Sequence, residues 1–166
     1  MRVRKGILYI GLLMALPFPS LAQDYTVKAN DFFRKYTDSK ALLELALKAL
    51  PTMEDCKMVF KEKNAYTYFG FVEDMKKKMQ EEATKPGETF KAVRVTANTS
   101  CDLERGQGDF PGGMTKCIGS FHSNVTFYAV TLLPEEGATA GVTYSYWIRI
   151  DGRWVYFPKP WRVGGT

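Results

Sequence analysis

The sequence predicts an α+β fold: about three or four N-terminal helices packed on one face of a curved antiparallel sheet of about four strands. Three observations carry this class. Apolar residues recur at helical spacing as far as Met79. After Gly87 the apolar period drops to two. Asp151-Gly152 then separates the last two alternating runs, as the two-residue turn of a hairpin does. Helices first and strands after is an α+β order, whereas a parallel sheet needs the two to alternate.

Each element follows from local chemistry. From Asp24 to Tyr36, Val27, Phe32, Phe33 and Tyr36 keep helical spacing, and Ser39 is placed to cap the next helix. That helix carries Leu42, Leu43, Ala46, Leu47 and Leu50, and must stop before Pro51. Thr52 offers an N-cap hydroxyl, with Glu54 and Asp55 in the first turn, where the helix dipole favours acids. Met53, Cys56, Val59 and Phe60 are its buried side. Asn64 is the expected cap of a fourth helix, with Tyr68, Phe69, Val72, Met75 and Met79 on one stripe, ending before Pro86-Gly87. Methionines at this spacing fill cores far more often than they bind ligands. Lys76-Lys77-Lys78 is flanked by Glu73, Asp74, Glu81 and Glu82, so it reads as a solvated helix face of mixed charge.

The strands are Val93-Val95-Ala97, Phe121 to Ala129, Val142 to Ile150, and Arg153 to Phe157. In the second, Phe121, Val125 and Phe127 alternate with His122, Asn124, Thr126 and Tyr128. In the third, Tyr144 and Tyr146 fall on the face opposite Trp147. Pro158 and Pro160 end the last strand, because neither donates to a ladder.

Residues 1–22 have the plan of a secretory signal peptide: basic Arg2, Arg4 and Lys5, an apolar run from Ile7 to Leu16, then prolines and small residues closing at Ala22-Gln23. The apolar run is short of the ~20 residues that a membrane span requires. The expected product is a single domain over 23–166, secreted or periplasmic, with no transmembrane segment. Loss of the leader lowers the net charge from +5 to +2, because three basic residues leave with it and no acid does. So small an excess gives no electrostatic reason to expect nucleic acid as a partner.

The phrases Leu50-Pro51-Thr52-x-Glu54-Asp55-Cys56 and Arg153-Trp154-Val155-Tyr156-Phe157-Pro158-Lys159-Pro160-Trp161-Arg162, with the Gly152-x-Trp154 turn, resemble exported bacterial proteins of the nuclear transport factor 2-like, cone-shaped superfamily. That resemblance implies leading helices on a curved sheet. It leaves function open, since such folds include cyclases, isomerases, dehydratases and plain binding or dimerisation modules. No catalytic residue of those enzymes maps onto this chain.

His122 is the only histidine, so a zinc site built mainly from histidines is excluded, and the three cysteines lack any C-x-x-C spacing. No metal or cofactor is expected. A G-x-S-x-G elbow is also missing. His122 is the candidate acid–base if its strand face lines a cavity with Asp102 or Asp109, and a surface residue if that face meets water. Seven aromatics between Tyr144 and Trp161 point to core packing for most, with Trp147 and Trp161 as candidate exposed binding residues. Asn98-Thr99-Ser100 and Asn124-Val125-Thr126 match the glycosylation acceptor pattern, the second in mid-strand. The expected function is a ligand- or partner-binding module without catalysis, taking a small molecule, a protein or a second copy of the chain. A small lyase or isomerase using His122 is the alternative.

CDLERGQGDFPGGMTKC (101–117) is the one segment unlike helix or strand. In an oxidising compartment a Cys101–Cys117 disulfide is its expected staple, with Cys56 either a buried thiol or the partner of one of them. Closing 15 residues would stabilise by ~3 kcal/mol in the chain-entropy model. Asp102, Glu104 and Asp109 lack the spacing of a calcium loop, and Phe110-Pro111-Gly112-Gly113 is a candidate contact surface at a cavity mouth.

Overall fold

The fold, seen in a computed structural model that describes residues 21–164, sets helices before a four-stranded sheet. The expected leader lies outside those residues apart from its last two. Helix α1 spans Leu21–Phe33, α2 Ser39–Lys48, α3 Met53–Val59 and α4 Glu62–Glu82. Strand β1 (Ala92–Thr99) is followed by a short helix α5 (Ser100–Glu104) and a 3-10 turn over Gly112–Cys117. Strands β2 (Thr126–Leu133), β3 (Val142–Ile150) and β4 (Arg153–Tyr156) complete an antiparallel meander in the order β1-β2-β3-β4. A second 3-10 turn, Pro160–Gly164, follows it.

The caps show how sequence becomes local structure. Thr52 caps α3 as expected, and Asp55 returns the bond to the Thr52 backbone, closing a full capping box. At α2 the cap is Asp38, whose Oδ1 accepts from Ala41 N at 2.8 Å. Ser39 is instead inside the helix, and its hydroxyl accepts from Glu88 N. Helix α4 starts at Glu62 with no side-chain cap, so Asn64 lies within it.

The strand alternation of β2 is buried on both sides. Phe127 and Ala129 join a core with Cys56, Val59, Tyr68 and Val72 of α3 and α4. Tyr128, Val130 and Leu132 join a second core with Ala29 and Phe33 of α1 and Leu42 and Ala46 of α2. The α+β class holds, and the helical cover extends to both faces where the sequence predicts one. The reason lies in β2, which starts at Thr126 rather than Phe121 and is buried at every position from Phe127 to Leu133. Tyr128, counted as polar in the alternation, is 2% exposed.

A bulge in β3 changes its facing. Tyr128 pairs with Trp147 and Val130 with Tyr144, so one residue of β2 opposes two of β3, Ser145 and Tyr146. Tyr144 therefore shares a core with Trp147, contrary to strict alternation, and Tyr146 lies in the other. Asp151 and Gly152 take the positive φ values of 47° and 80° that the tight hairpin demands.

Candidate functional site

The aromatic core under α3 and α4 covers only part of one sheet face. Beyond it a groove of about 790 Å³ opens over β1, β2 and β3. Its floor follows from the register: Arg94 pairs with Thr131 and Thr96 with Ala129 across β1 and β2, and Thr131 pairs with Thr143 across β2 and β3. Those side chains, with Ser145 and Tyr146 at the bulge, line the groove. The Thr131 and Thr143 hydroxyls lie 2.9 Å apart, bonded to each other. Arg94 donates from both terminal nitrogens to the carbonyls of Ala138 and Thr139, which holds its guanidinium against the β2–β3 connection.

The end wall comes from two distant segments, each pinned. Asn98 of β1 bonds Asp109 reciprocally: its Nδ2 donates to Asp109 O and its Oδ1 accepts from Asp109 N. Gly108, at φ +84°, is required beneath this clasp, because a Cβ there would lie 2.7 Å from Asn98 Oδ1. Asp109, Phe110 and Pro111 thereby face the groove. The second segment carries Lys159 and Trp161. It is anchored by Tyr68, whose buried hydroxyl donates to Pro158 O at 2.8 Å while its ring stacks on Phe157. Lys159 is exposed at φ 47°, a conformation rare for a side-chain-bearing residue, between buried Pro158 and Pro160. Trp161 rests against Gly113, where an added Cβ would approach the indole to 2.8 Å.

Tyr146 links floor and core. Its ring packs edge-on to Phe110, and its buried hydroxyl has no hydrogen-bond partner among the described residues. Burial pushes this phenol well above its usual value, and the Asp109 carboxylate adds to the effect. An unpaired buried donor beside a groove is a group that a bound molecule can satisfy.

The sequence candidates divide sharply. Trp161, Phe110 and Pro111 line the groove. Trp147 does not: it is fully buried against Phe33 and Tyr156, because the bulge turns it into the core beneath α1. His122 lies in the connection before β2 rather than on a strand, and its imidazole is exposed. Its backbone is well used, with its N–H donating to Val59 O and its carbonyl accepting from Ser100 Oγ. Neither candidate carboxylate joins it. Asp102 caps α5 through Thr99, and Asp109 faces the groove. Asn124 stands in a turn at φ 66° rather than in mid-strand.

The three cysteines are free thiols, so the expected Cys101–Cys117 bond is not formed. Cys101 belongs to the first turn of α5, where its thiol meets Asn124 Oδ1 at 3.4 Å. Cys117 is buried in the core with Cys56, its thiol directed at Met114 O. The loop is organised by α5 and the 3-10 turn in place of a staple. Among the described residues no group of three or more His, Cys, Asp or Glu could hold a metal, and no helix is long and apolar enough to cross a membrane.

Sequence reading named the rim of this site and missed the floor. Arg94, Thr96, Thr143 and Ser145 are visible as polar positions in alternating strands. Only the register shows that they meet on one face. Comparison with known proteins returns no matching family model, curated protein or solved structure.

Proposed function

We propose that this chain is an exported binding module without catalysis, of the cone-shaped nuclear transport factor 2-like kind, and that the sheet groove holds its ligand. One observation carries the reading. Part of a sheet face is left uncovered by helices and is lined by hydroxyls, two cations and aromatic rings, held by the Asn98–Asp109 and Tyr68–Pro158 bonds. A groove of this volume, part apolar and part convergent polar groups, is of the kind that takes small molecules. The order of helices then meander, ending in the Gly152-x-Trp154 hairpin, supports the cone-like reading. The basic, apolar and small-residue succession of residues 1–22 supports export. The acid–base alternative gains no geometry, since His122 is exposed outside the groove and has no carboxylate partner among the described residues.

Two-dimensional amide NMR of the purified protein against a panel of saccharides, amino acids, nucleotides and hydroxy acids tests the reading. Shifts gathered on Thr96, Thr131, Ser145 and the Trp161 indole are expected. A panel whose binders all shift residues elsewhere, or that contains no binder, overturns it.

A further inference from the structure

Resting on the reading of the groove as a ligand site, we infer that the ligand is an acidic saccharide, a chain of sugar hydroxyls bearing carboxylates. The lining contains three kinds of group, and a carboxylated sugar answers all three.

The first is a patch of hydroxyls. Thr96, Thr131, Thr143 and Ser145 come together on the floor, and each can both donate and accept. Sugar hydroxyls have the same dual character, so the two sets interlock with either partner donating. The second is a flat apolar wall. Trp161 and Phe110 line the same end, and Gly113 lies against the indole. Aromatic faces of this kind suit the C–H face of a pyranose ring.

The third is charge. Arg94 and Lys159 face the groove against the single carboxylate of Asp109, an excess of one positive charge. Arg94 uses two of its donors on loop carbonyls and keeps others, since a guanidinium has five. The Lys159 ammonium has no hydrogen-bond or ion-pair partner among the described residues, and its backbone is held in place between two prolines, its carbonyl accepting from Arg162 N. A carboxylate on the ligand gives this ammonium a charge-assisted bond.

An acidic peptide fits less well. Peptides commonly bind sheets by adding a strand at an unpaired edge. This floor is the face of β1, β2 and β3 rather than the outer edge of β1, and the strands line it with side chains. Side-chain hydroxyls are what it offers.

The test titrates the purified protein with a galacturonate oligomer, a neutral glucose oligomer of equal length, and a poly-glutamate peptide, followed by amide NMR and calorimetry. The galacturonate oligomer is expected to shift the groove residues and to bind about tenfold more tightly than the neutral one, an advantage reduced by added salt. Lys159→Gln is expected to abolish most of that preference and Lys159→Arg to retain it, both with unchanged circular dichroism. Equal binding of acidic and neutral oligomers overturns the inference and leaves the groove as a sugar site. Tighter binding of poly-glutamate overturns it in favour of a peptide site. Saccharides that leave the groove unshifted, while another compound from the broader panel shifts it, overturn the saccharide class alone. If nothing shifts the groove, this inference and the proposed function both fail.

Discussion

Asp55 and Arg153, 98 residues apart, form an ion pair that ties the start of α3 to the start of β4. The Asp55 side chain is 2% exposed, and its two oxygens are divided: Oδ1 accepts from Arg153, and Oδ2 accepts from the Thr52 N–H and hydroxyl at 2.9 and 3.0 Å. Beside it Tyr156 N donates to Ala49 O at 2.7 Å. The Leu50–Cys56 and Arg153–Arg162 phrases, far apart in sequence, are thus joined at one structural seam.

Removing either partner is expected to destabilise unequally. Asp55→Ala loses the helix cap and the ion pair, costing about 2–4 kcal/mol. Arg153→Ala costs about 1–2 kcal/mol, because its half-exposed side chain retains solvent while Asp55 keeps the Thr52 bonds. Urea denaturation of the two single variants and the double variant should give a coupling of about 1 kcal/mol. Strictly additive losses would show that the two groups act independently.

A second capping box predicts an acid-sensitive connector. Bonds from the Thr99 hydroxyl and backbone, with a smaller contribution from Arg105, lower the Asp102 carboxyl below its ordinary 3.8. A depressed carboxylate stabilises the fold above the unfolded value, and that contribution fades as pH falls below about 3.8 through the lower folded value. Protection of the α5 amides against exchange, relative to the intrinsic rate at each pH, should therefore fall on acidification ahead of protection in β2. Asp102→Asn should remove this dependence, and equal acid sensitivity in that variant would refute the assignment.

Alkaline conditions act on the core. Burial pushes the Cys56 and Cys117 thiols up from 9.0 to about 12, with Asp55 and Glu54 adding to the effect at Cys56. Between those values the unfolded chain releases thiol protons that the folded chain retains, so stability falls as pH rises above 9. Cys56→Ala and Cys117→Ala should each flatten the alkaline limb of a stability–pH curve while lowering stability at pH 7. In native protein at pH 8, iodoacetamide should modify the partly exposed Cys101 well before the other two. Equal labelling of all three would contradict this burial.

Lys159 sets stability against binding. Its φ of 47° suits glycine better than lysine, so Lys159→Gly should raise stability by up to about 1 kcal/mol. The same change removes an ammonium from the groove and should weaken capture of acidic ligands. A stabilised variant that binds a galacturonate oligomer as well as the parent does would remove Lys159 from the site.

Gly113→Ala probes the aromatic part of the same end wall. The new methyl would meet the Trp161 ring at 2.8 Å, and displacing the indole should cost about 1–3 kcal/mol. A shifted Trp161 indole resonance is the expected signature, and an unchanged one would mean that the wall tolerates the methyl.

The sequence by itself determined the elements: helices from apolar spacing, the Thr52 cap, the β3 limits from Val142 to Ile150, and the hairpin from Asp151-Gly152. These are decided within a few residues, by dihedral preference and nearby side chains, which is why they are legible there. Tertiary structure alone decided facing and assembly. One extra residue in β3 moved Tyr144 and Trp147 to the same core and brought Ser145 to the groove. Register placed Arg94 opposite Thr131, and Tyr68 reached across 90 residues to hold the tail that presents Lys159 and Trp161. A side-chain alternation read along one strand contains no information about a bulge or a partner strand. The polar groove exists only where several such strands meet.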